Sequence, residues 1–123
     1  AATSTNGLTW TARTLPNAYL KSVIFGNGIF VAVAANNNFP AATSPDGITW
    51  TTRTMPRVAN WQSVAFGNGV FVAMATGNIA ATSSDGIAWT ETTPPNSTSW
   101  LVTYDNGKFV AVSESTQTAA TSP

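Results

Sequence analysis

The chain has 123 residues, 43% hydrophobic and 11% aromatic but only 8% charged, with five basic and five acidic side chains and neither His nor Cys. Zero formal net charge leaves no electrostatic footprint for a phosphate backbone or an anionic bilayer, and no apolar run approaches the ~18 residues of a transmembrane helix, so neither nucleic acid nor membrane insertion is expected. The absence of His and Cys removes the commonest general base, every Ser–His or Cys–His pair, disulfides and sulfur-ligated metals, so neither an enzyme nor a cofactor is expected.

In chain order, Ala1-Ala2-Thr3-Ser4 opens the first segment, followed by Asn6-Gly7 and Trp10; with the residues up to Thr14 it reads as two strands. Next comes Val23 to Ala32 (VIFGNGIFVA), two strands meeting at Asn27-Gly28, then a second Ala-Ala-Thr-Ser at Ala41 to Ser44, with Asp46-Gly47 and Trp50 behind it. The third copy is the clearest. Gln62 to Phe66, the Asn68-Gly69 turn, Val70 to Ala75, Ile79 to Ser83, the Asp85-Gly86 turn and Ile87 to Thr92 read as four strands, stopped by Pro94-Pro95. A last pair, Val102 to Ala111 (VTYDNGKFVA), precedes a fourth Ala-Ala-Thr-Ser at Ala119 to Ser122. The tetrapeptides are spaced by 40, 39 and 39 residues, and a period of that length with four short strands per unit is the signature of β-propeller blades. Each Asn-Gly and Asp-Gly is expected to supply the two positive φ angles of a type I′ hairpin turn.

The second strand of each unit (Ile29 to Ala34, Val70 to Ala75, Phe109 to Val112) is apolar on both faces, so other sheets must cover both of its sides. The expected fold is therefore all-β, with about three four-stranded antiparallel blades. Their divisions are an outer half-blade over 1–19, blades over 20–56 and 61–95, and an inner half-blade plus an extra strand over 100–123. Trp10, Trp50 and Trp89 recur in each unit and are expected in the blade core.

The motifs Ser44-Pro45-Asp46-Gly47-Ile48-Thr49-Trp50 and Ser83-Ser84-Asp85-Gly86-Ile87-Ala88-Trp89 resemble a shortened Asp-box, the hairpin signature of sialidase-like (BNR-type) propellers. That family's motif has one more residue between Asp and Gly, and the first copy here carries Asn6 in place of the Asp. The resemblance implies the propeller architecture. The arginine cluster of a sialidase does not carry over, because Arg13, Arg53 and Arg57 are the only arginines and the first two are repeat equivalents.

Propellers close with about 4 to 8 blades, so three blades leave apolar faces that further copies of the repeat are expected to cover, as a twofold ring, a fibre or a longer array. The start at Ala1 rather than Met suits a piece of something longer. Ala119 to Ser122 competes with Ala1 to Ser4 for one strand position. Candidate ligand contacts lie in the connections between units: Tyr19, Trp61 and Trp100 as stacking aromatics, preceded by Arg13, Arg53 and Glu91, the pairing that interblade glycan sites use. Asn96-Ser97-Thr98 is a glycosylation sequon. The expected function is that of a structural, self-assembling module of an extracellular or virion surface assembly, with a glycan-binding propeller as the alternative.

Overall fold

The computed structural model describes residues 1–16, 19–35, 38–95, 100–114 and 117–122; the Asn96 sequon lies outside them. Among the described residues there are thirteen strands and no helix. β1 (Ala2–Thr3) and β2 (Thr11–Ala12) pair only with each other. β3 (Leu20–Gly26), β4 (Ile29–Ala34), β5 (Ala41–Ser44) and β6 (Thr51–Arg53) form a four-stranded antiparallel sheet in sequence order. β7 (Trp61–Gly67), β8 (Val70–Ala75), β9 (Ile79–Ser83) and β10 (Thr90–Thr92) form a second one. β11 (Trp100–Asp105), β12 (Lys108–Ser113) and β13 (Ala119–Ser122) form a three-stranded sheet. Ala119–Ser122 thus takes the third position of its own sheet, and the expected competition with β1 does not arise within the chain.

Three of the four Asn-Gly turns form as expected; at Asn6-Gly7 only the glycine is at positive φ, as in the Asp-Gly loops. Asn27 and Gly28 have φ of 51° and 77°, Asn68 and Gly69 of 50° and 76°, and Asn106 and Gly107 of 49° and 76°, the paired positive angles of a type I′ turn whose twist suits antiparallel strands. The Asp-Gly turns do not. Only the glycine of each pair is at positive φ, and six residues, 84–89, separate β9 from β10. The connection is a longer loop built on side-chain hydrogen bonds, so the outermost strand is also shorter than expected, three residues in β6 and β10.

The sheets stack face to face through their first two strands, β3 and β4 against β7, and β7 and β8 against β11. Val31 and Val33 of β4 meet Trp61, Val64, Phe71 and Ala73 in one apolar cluster; Ala65, Trp100, Val102 and Ala111 form the next, with Val72 and Met74 packed on it. Because strand side chains alternate, each sheet shows two different faces, and the leading face of one covers the trailing face of the sheet before it. The leading face carries an in-register aromatic pair: Phe25/Phe30, Phe66/Phe71 and Tyr104/Phe109, with ring centroids 4.7, 4.5 and 4.7 Å apart.

Candidate functional site

The six-residue loops are the most repeated polar feature. Asp46 Oδ1 accepts from the backbone N–H of Ile48 and Thr49 (both 2.8 Å) and from the Ser44 hydroxyl (3.0 Å), while the Ser44 oxygen accepts from Gly47 N–H (2.8 Å). Asp85 repeats this with Ile87, Ala88 and Ser83 at 2.8, 2.9 and 3.0 Å. Asn6 repeats it with Leu8 and Thr9 at 2.9 and 3.0 Å. An ionised carboxylate suits such donors, and the N–H groups of Thr49 and Ile48 hold Asp46 below its ordinary value of 3.8, as those of Ile87 and Ala88 hold Asp85. The loops therefore use up the acidic groups they contain. Among the described residues no three His, Cys, Asp or Glu side chains gather as a metal site.

The tryptophans do not all take the roles expected of them. Trp10, Trp50 and Trp89 sit at the loop ends, each indole N–H donating to the loop glycine carbonyl at 3.2, 3.1 and 3.1 Å; Trp50 is half-buried, Trp89 is half-buried and packed against the first core cluster, and Trp10 is 60% exposed. Trp61 and Trp100, expected in the connections, begin β7 and β11 and have no accessible surface at all. Neither has a face on which a sugar ring could stack.

The remaining candidates do not assemble into one site. Arg13 and Arg53 are equivalent, each Nε donating across its hairpin to Thr3 or Thr43 Oγ1 at 3.1 and 2.9 Å. Glu91 pairs with Ala81, one step from that register, so it belongs to the opposite sheet face, where it meets Arg57 at 3.1 Å. Tyr19 is likewise one residue off: by ladder partner it is Leu20 that holds the position of Trp61 and Trp100, and Tyr19 is exposed.

One expected feature is located by the structure, and another was not read from the sequence. The bare apolar face expected of an incomplete ring is the leading face of the first four-stranded sheet. Val23 and Phe25 are 57% and 53% exposed, whereas the equivalent Val64 is 5% exposed and Phe66 is packed into the core. A cleft of about 930 Å³ lies there, between the β1–β2 hairpin and β3–β4, with Trp10, Arg13, Leu20, Val23, Phe30 and Trp50 on its walls. It occupies the place that the two inner strands have in each complete blade. The other is the joint between sheets. The Ser22 oxygen accepts from Val64 N–H at 3.2 Å; the Ser63 hydroxyl accepts from Val102 N–H at 3.0 Å and donates to the Val102 carbonyl at 3.3 Å. Gly26 and Gly67 end β3 and β7 with so little room that a methyl group on either would fall inside the ring of Phe66 or Tyr104. Each joint is thus a serine bridge plus an aromatic ring seated on glycine. The repeated pattern of Ser followed four residues later by Gly was present in the sequence as the signal for it.

No curated protein matches the sequence. Among solved structures, YCF48 from Cyanidioschyzon merolae superposes with a TM-score of 0.62 at 16% identity, covering 88% of this chain and 38% of that one. A structure described as YCF48 bound to D1 peptide superposes at 0.56 and 16% identity, over 95% of this chain and 40% of that one. The chain therefore spans about two fifths of the length of these propeller neighbours, and at such identity the likeness is one of fold. Stacked four-stranded sheets, the repeat and a family model matching residues 5–122 agree: the chain belongs to the family of the DUF6242 beta propeller domain.

Proposed function

We propose that the chain is a non-catalytic structural module that assembles with copies of itself, the leading face of one copy being covered by the trailing face of another, in an oligomeric propeller or a fibre at a cell or virion surface. The observation that carries this reading is the contrast between Val23 and Phe25, left open, and Val64 and Phe66, which the adjoining sheet covers. An apolar face whose equivalents are covered elsewhere in the same chain marks a contact surface. The low charge and the Thr, Ser and Asn content support an outside location. Multi-angle light scattering across a concentration series tests it: a discrete dimer supports a ring, long polymers support a fibre, and a monomer at every concentration contradicts both.

The loops support a finer kinship with the Asp-box of sialidase-like propellers, since the acidic residue organises the turn and the tryptophan closes it. A second reading, glycan binding, is favoured by the cleft, where exposed Trp10 and Arg13 share one wall with hydroxyl side chains. A glycan array with Trp10→Ala as control decides it; no bound sugar removes this reading.

A further inference from the structure

If copies join head to tail, the trailing face of the last sheet must meet the leading face of the first four-stranded sheet, and the two internal joints show what such a contact requires. At the trailing face, Ser22 and Ser63 pair with Val33 and Met74; the residue in that position of the last sheet is Leu101, paired with Val112. Gly26 and Gly67 pair with Ile29 and Val70; here Asp105 pairs with Lys108. The serine bridge is therefore gone, the glycine seat is filled, and an apolar position is charged. On the leading face Val23, Phe25 and Phe30 stand where Val64, Phe66 and Phe71 stand in the internal joint, and Leu20 stands where Trp61 does.

We infer that Asp105 sets the strength of association between copies, by denying Phe25 of the next copy the glycine seat that Phe66 and Tyr104 use inside the chain. The inference rests on the self-assembly reading above. A Cβ at either internal seat would lie within the arriving ring, so the joint between copies cannot repeat the internal geometry; ring or strand must shift, and packing is lost. Asp105 is exposed and its Oδ1 accepts from the Asn106 N–H at 2.8 Å, so its side chain is held at the turn. Copies join more loosely than blades within a chain, and the fold carries a boundary between a tight unit of sheets and a looser assembly of units.

Sedimentation velocity on the whole chain, comparing wild type with Asp105→Gly and Asp105→Ala, tests this. Glycine restores the seat, so Asp105→Gly is expected to tighten self-association roughly tenfold or more. Asp105→Ala removes the charge but keeps the Cβ, and is expected to stay near wild type. Thermal melts monitored by circular dichroism check that all three remain folded. Associated Asp105→Gly over a weakly associating or monomeric wild type supports the inference. Equal association of wild type and Asp105→Gly overturns it and leaves self-assembly standing, as does equal tightening by Asp105→Ala, which would make charge the cause. Monomers throughout overturn both.

Discussion

At the scale of single residues, the same loop is built three times with two different acceptors. Asn6 takes the place of Asp46 and Asp85 and makes the same pair of backbone contacts, so the loop needs an oxygen acceptor and not a charge. Asp85→Asn should therefore preserve the loop, while Asp85→Ala, leaving the N–H groups of Ile87 and Ala88 to solvent, should cost about 1 kcal/mol in denaturant unfolding. Charge enters through pH. Both carboxyls are held below 3.8 in the folded chain, so their stabilisation is complete above that value and is lost as pH falls through their depressed folded values. The double variant Asp46→Asn, Asp85→Asn should lose less stability than wild type between about pH 4 and pH 2, by acid titration of the melting temperature. Trp61 makes the opposite case. Its ring is fully buried while its N–H meets no acceptor among the described residues, so Trp61→Phe should cost about 1 kcal/mol or less, and Trp61→Ala about 3–5 kcal/mol.

At the scale of strands and sheets, glycine serves two unrelated ends. Gly69 lies at φ 76° with open space around it, and an alanine there meets only backbone strain, about 1 kcal/mol. Gly67 has no such backbone demand, yet its alanine would strike the Tyr104 ring and should cost about 1–3 kcal/mol, loosening the last sheet from its neighbour. Urea unfolding of the two variants, with Tyr104 environment followed by near-ultraviolet circular dichroism, separates the mechanisms: only Gly67→Ala should alter the signal before global unfolding. The same contrast explains what could be read from residues alone. Asn-Gly between apolar strands specifies a local turn, so the hairpins at residues 27, 68 and 106 were legible. Asp-Gly is ambiguous, because a carboxylate that collects neighbouring N–H groups favours a wider loop, and this moved Trp50 and Trp89 out of the strands. Register was harder still. β3 and β7 carry one extra residue that β11 lacks, so spacing along the chain does not give equivalent positions; Leu20 and not Tyr19 matches Trp61 and Trp100, and Gly67 acquires its meaning only when the next sheet arrives.

At the scale of the whole molecule, tandem sheets each cover the next, and the unpaired inner positions beside β1–β2 leave one apolar face and a cleft at the start of the stack. The period alone predicted blades; it did not show that the two ends differ, because that depends on the few residues that break the repeat, Leu101, Asp105 and Lys108. The chain holds no cysteine, which makes paired cysteines a direct probe of the contact between copies. By repeat equivalence, Thr103 of one copy should stand where Ile24 and Ala65 stand, opposite Val23 of the next. Chains bearing Val23→Cys and chains bearing Thr103→Cys, mixed and oxidised, should give a disulfide-linked heterodimer well above either homodimer. Cross-linking no greater than that of Val23→Cys with exposed Thr52→Cys would contradict the stacking of one copy upon another.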